Sequence, residues 1–470
     1  MLRFKGTQGR KYSSNQSRKT MAEARVRQKA VLQVLLAGIF LSCLLNPRLG
    51  VAQANAKATG VSKYVGPGSC AASACHGGVQ PSSVTSVLQN EYSTWVVRDA
   101  HFKAYRNLGT PISQHIGRLL GIDNPAASPK CLACHSLVVS SQDKARDFDV
   151  EGVSCESCHG PASAWLEPHT LRGATTQKSV ALGMLDLRDP MHRSEKCLSC
   201  HLGTADKDVD HKMIAAGHPD LVFELDSYSA IQPPHWKPAA DPYHDVHLWA
   251  VGQAIQLRES LRRLARHAEG ANWPEFSDYD CFSCHHGLTK PENSWRQERG
   301  YEHRTPGSPP WDSAHYAVFR ILAREVDPAA SQQLESQMQG VYETASDLNG
   351  SRKEVSEKAS AASETANRLV AEINQTSFDQ ARAIGLLQAI SAQADSIANQ
   401  DTRSAEQATM ALDTIFLCYE KQAGSHPAVR AAIDALFQEV NNPSAYNAPR
   451  FSSQMHKVNA ALRDSGITVH

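Results

Sequence analysis

Ten of the twelve cysteines fall into five pairs, each followed at once by a histidine. Cys155, Cys158 and His159 stand in G-V-S-C-E-S-C-H-G-P-A. The same C-x-x-C-H spacing recurs at Cys131, Cys134 and His135, at Cys197, Cys200 and His201, and at Cys281, Cys284 and His285. A stretched copy, Cys70-Ala-Ala-Ser-Ala-Cys75-His76, opens the series. In such a string the two thiols add across porphyrin vinyl groups as thioethers, and the adjoining imidazole becomes the proximal iron ligand. The chemistry implied is covalent binding of haem c, up to five copies, with electron transfer as its use. Cysteine pairs also hold structural zinc, but zinc sites do not require a histidine at that fixed place. Haem is therefore the preferred reading.

Each iron has a second axial position. A second imidazole there gives a six-coordinate centre that only passes electrons, whereas an open position binds small molecules. Sixteen of the 21 histidines remain once the proximal five are set aside. Five are candidate distal ligands: His101 in W-V-V-R-D-A-H-F-K-A-Y, His169 in W-L-E-P-H, His211 and His218 seven residues apart, and His247 at the start of a strongly periodic segment. No catalytic residue is assigned. Glu156, inside the third motif, reads as a solvent-facing filler or a proton-transfer group, and Cys418 as a small buried hydrophobe.

The elements that must carry these residues read as helices. Glu91–Leu108 has helical spacing, and a second helix follows Pro111 over 112–120. A short helix is expected from Val209 to Gly217 and a short strand over Leu221–Leu225. Val246–His267 has apolar positions at three- and four-residue steps with arginines on the opposite face. Residues 305–312 hold a Pro/Gly/Ser linker, T-P-G-S-P-P. The tail over 313–470 reads as helices at about 313–326, 329–349, 351–375, 378–399, 403–422, 426–441 and 452–464, a helical bundle. The fold class is mostly α, with a motif-bearing domain over 57–304.

The first 30 residues hold nine Lys/Arg and one acid, and an apolar run from Val31 to Leu45 follows. With the small residues around Ala52–Ala56, this reads as an export signal over 1–56, with a retained membrane anchor as the alternative. Removing it leaves 38 basic and 47 acidic side chains, a net charge of −9. That balance argues against nucleic acid and suits a redox partner with a basic patch. The expected location is the periplasm, with membrane association only if the N-terminal segment stays.

The pieces G-S-C-A-A-S-A-C-H-G, W-V-V-R-D-A-H-F-K-A-Y, K-C-L-A-C-H, G-V-S-C-E-S-C-H-G-P-A and A-A-G-H-P-D-L-V-F-E-L together resemble the multihaem cytochromes of the cytochrome c-554 type. The likeness covers about residues 64–300 and leaves the tail outside. It implies a mostly helical domain in which stacked haems replace a normal core, mainly bis-histidine irons, and an electron-carrier role. The expected function is relay of electrons between redox proteins. The alternative is oxidation or reduction of a small nitrogen or sulfur compound at one haem with an open position.

Overall fold

The computed structural model describes residues 61–285 and 308–468. The export segment 1–56, His286 and the first part of the 305–312 linker lie outside them.

Glu91–Arg98 forms helix α1 and Ala100–Asn107 forms α2, with Asp99 between them in extended backbone at φ −80° and ψ 133°. The single helix expected over 91–108 is thus broken in two. An Asp side chain competes for backbone N–H groups and favours a cap over a helix interior; Asp99 accepts from His101 N at 2.9 Å. Pro111–Leu119 is α3, begun by proline and capped by Thr110. The second and third motifs end short helices, α4 (Pro129–His135) and α5 (Cys155–His159), and the fourth closes α6 (Pro190–His201). Helix α7 (His211–Ala215) follows. The strand expected over Leu221–Leu225 is absent. Leu225 instead begins α8 (Leu225–Ile231), because the Glu224 carboxylate caps it by accepting from the Asp226 and Ser227 amides. The described residues contain isolated bridges but no sheet.

The long helix α9 (His244–Glu269) differs from expectation in its surroundings. Eighteen of its 26 residues are buried, Arg258 and Arg263 included. A helix covered on all sides belongs inside a bundle. The tail supplies that bundle: α10 (Phe319–Val326), α11 (Pro328–Ala345), α12 (Arg352–Gln375), α13 (Gln380–Ala392), α14 (Ala394–Gln400), α15 (Thr402–Ala423), α16 (Pro427–Val440) and α17 (Ala448–Asp464). The helix expected over 378–399 breaks at Gln393. Helix α9 packs along α12 and against α6, α8 and α15. One hydrophobic core therefore runs from Leu198 to Ile467 and crosses the 305–312 region.

Before Leu198 the picture is different. The one other core cluster among the described residues is Val65, Ala162 and Trp165 with a few partly buried neighbours. More than a hundred residues with so little apolar packing cannot offset their own ordering entropy. This region needs a further apolar body to fold around.

Candidate functional site

The five motif histidines are set by motif backbone and by one hydrogen bond each where the ring is gripped. His135 Nδ1 meets Ala104 O at 3.0 Å, and His159 Nδ1 meets Leu185 O at 3.2 Å. His76 Nδ1 meets Glu91 Oε2 at 2.9 Å. Among the candidate distal residues, His101 Nδ1 meets Asp99 Oδ1 at 2.9 Å, His169 Nδ1 meets Leu166 O at 2.5 Å, and His218 Nδ1 meets Pro219 O at 2.7 Å. An Nδ1–H donated to a carbonyl or carboxylate fixes the tautomer and leaves the lone pair on Nε2. Six of the motif and candidate distal rings among the described residues are held that way.

Four pairs of these rings share one separation. The centroids of His76 and His169, His135 and His218, His101 and His201, and His211 and His285 are each 6.3 Å apart. A metal–imidazole bond is about 2.0 Å and a ring nitrogen lies about 1.1 Å from its ring centre, so rings on opposite faces of one metal sit roughly 6.2 Å apart. Direct stacking would bring aromatic centres closer, and unrelated rings would not repeat one value four times. Each gap fits one iron. The missing apolar core before Leu198 fits the porphyrin that would surround it. The residues present thus match covalently held haem on two independent counts.

The remaining motif histidine, His159, is different. Among the described residues, no other imidazole stands 6.3 Å from His159. His247 does not fill the place: its ring stacks on Phe378 of the tail at 5.8 Å, and its Nε2 is buried without a hydrogen-bond partner. Its position at the start of α9 packs it against the tail. His267, farther along α9, is held between Asp208 and Asp278.

Electrostatics divide the rings by their surroundings instead. Burial pushes His201 down to about 4 and lowers His159 and His218, so these rings are neutral and keep a lone pair for a metal. Hydrogen bonds to carboxylates raise His76, through Glu91, and His101, through Asp99. Burial alone would raise Asp99, but hydrogen bonds from His101 hold it at about 2. Asp99 and Glu91 were not legible as site residues. Asp99 alone carried a signal, two places before His101 as a helix cap.

Glu156 is not the solvent-facing filler that its place in the motif suggests. It is 2% exposed and its carboxylate accepts from Val65 N, Gly66 N and Ala162 N, at 2.8 to 3.2 Å. It ties the segment entering the first motif onto the third. Gly152 makes a comparable close approach. At φ +88° an added Cβ would lie 2.7 Å from His101 O, so only glycine lets the third motif's lead-in reach α2. There, Val153 N donates to His101 O at 3.1 Å.

Two of the sites are joined to further sites in the same way. Helix α2 carries both His101, which faces His201, and Ala104 O, which holds His135. Lys130, beside the second motif, pairs with Asp210, next to His211, at 2.7 Å.

Comparison with family models matches residues 69–160 to the family described as cytochrome c554 and c-prime. Comparison with curated proteins and with solved structures finds no match. The matched segment includes the first three motifs, the stretched one among them, and ends one residue past His159. Over these residues the chain is a c-type cytochrome resembling that family, with covalently bound haem c and a role in electron transfer.

Proposed function

We propose that the protein is a five-haem electron relay, exported to the periplasm, in which one site keeps an open axial position. The observation that carries it is the 6.3 Å spacing repeated in four histidine pairs beside a fifth motif histidine without one. The ten paired cysteines are the thioether anchors. His76, His135, His159, His201 and His285 are the proximal ligands, with His169, His218, His101 and His211 facing the first, second, fourth and fifth of them.

The contacts between sites give the order of the relay. Glu156 joins the first site to the third, and the Val153–His101 bond joins the third to the fourth. Helix α2 joins the fourth to the second, and Lys130–Asp210 joins the second to the fifth. The order in space is first, third, fourth, second, fifth, which is not the order in sequence. Imidazole on both faces keeps an iron's ligand set unchanged between oxidation states, so little reorganisation accompanies transfer. The chain's part is to hold those rings, keep Nε2 available and exclude water. The acidic balance beyond residue 56 supports docking to a redox protein with a basic patch.

A second reading follows from His159 alone. An open position there would take a small nitrogen or sulfur compound and make the chain an oxidoreductase. Intact mass and electron paramagnetic resonance of the mature protein test both readings. Five macrocycles in the mass, with low-spin signals plus one high-spin signal that cyanide or nitrite converts, is the expected result. Four or fewer macrocycles would remove the five-site relay. Low-spin signals alone, unmoved by either anion, would remove the open third site.

A further inference from the structure

We infer that the C-terminal helical region completes the fifth site, and that Arg403 sets that site's affinity for an electron. This rests on the proposed reading of Cys281, Cys284 and His285 as a haem site. The lead-in to that motif is built on the tail. Asp280 N donates to Pro310 O at 3.0 Å, Asp312 N to Asp278 O at 2.9 Å, and Tyr279 Oη to Ala345 O at 2.8 Å. Arg403, second residue of α15, reaches the motif itself: its Nη2 lies 3.5 Å from Cys281 Sγ. Its Nη1 meets Asp312 Oδ2 at 2.5 Å, and Asp220, two residues beyond His218, takes the other side. The Arg403 side chain is 22% exposed, so its charge acts through little water. The Asp401 carboxylate caps the helix that carries Arg403, so among the charges close to Cys281 the guanidinium is the cation and Asp280, Asp312 and Asp401 are the opposing acids.

A fixed cation beside a redox centre favours the form carrying one more electron. Arg403 therefore holds the fifth site at a higher reduction potential than the same ligand set would have without it. The tail thereby tunes the relay's last member in space and is a working part of the relay.

The test is a spectroelectrochemical titration of the full-length holoprotein. The one-electron step belonging to the fifth site is the one lost in Cys281→Ser/Cys284→Ser. In Arg403→Gln that step is expected to shift to lower potential while the other four stay, and Arg403→Lys is expected to restore most of the shift. Asp312→Asn, which removes the opposing charge, is expected to move the same step upward; it keeps the test alive if the Arg403 variant fails to fold. An Arg403→Gln protein that carries five macrocycles with no step moved would overturn the inference and leave the relay intact. So would Arg403→Lys shifting as far as the glutamine variant. A wild-type protein with four macrocycles and an unmodified Cys281 would overturn it together with the fifth-site reading.

Discussion

The imidazole rings of His76 and His169 face each other at 6.3 Å and lie within 7° of parallel. The sequence separates them by two other motifs, and no local element joins them. Their relation is the one that a metal between two Nε2 atoms would impose. In His169→Ala, the anchors Cys70 and Cys75 are untouched, so intact mass should still show every macrocycle. Electron paramagnetic resonance should gain one further high-spin signal. A spectrum identical to wild type would remove His169 from the ligand set.

His247 provides the opposite test. Its ring packs on Phe378, and its Nε2 has no partner to lose. His247→Leu keeps the volume and removes an unsatisfied polar atom, so the expected stability change is within about 1 kcal/mol. Visible and resonance spectra should not change. A new high-spin signal in this variant would place His247 on an iron after all.

Glu156 should behave as a clamp. Glu156→Ala strands the buried amides of Val65, Gly66 and Ala162, each costing about 1–3 kcal/mol when left unpaired. The variant should unfold at markedly lower denaturant concentration, with the first motif released first. Limited proteolysis between Ser62 and Cys70 would report that release. Unchanged stability would show that the clamp carries no load.

The cluster of Asp208, Arg263, His267 and Asp278 should give a pH signature. Burial opposes charge on His267, but its hydrogen bonds to Asp208 and Asp278 raise it from 6.5 to about 9. A raised histidine contributes stability that is fully present below pH 6.5 and is lost as pH rises through 9. The side chain is 17% exposed, and the shift corresponds to roughly 3 kcal/mol. Asp208 has the opposite sign. Burial would raise it, but its bonds to His267 and Arg263 hold it at about 2, so its contribution is present above pH 3.8 and lost as pH falls through 2. Unfolding midpoints should therefore decline between pH 6.5 and 9, and His267→Gln should flatten that decline. A flat wild-type profile over the same range would contradict the assignment.

Much of the chemistry was written in residue order. The motif cysteines and their histidines are adjacent in sequence, so the string alone singles out the candidate thioether and proximal positions. The tail helices were legible for the same kind of reason. Apolar residues at three- and four-residue steps, with Asp327, Ser351, Asp379 and Asp401 as caps, are local signals. What local signals could not supply was partnership. Which imidazole faces which depends on contacts across scores of residues, and nothing in the sequence pairs His201 with His101 or His285 with His211. The same limit hid the placement of α9, whose arginines look like a solvent face until Asp208, Asp278 and Glu195 are brought to them. It also hid Glu156, whose acceptors are spent on backbone amides some ninety residues earlier. The motif strings were a property of neighbours in the chain; which rings face each other, which motifs touch and the cation beside Cys281 were decided only when distant segments packed together.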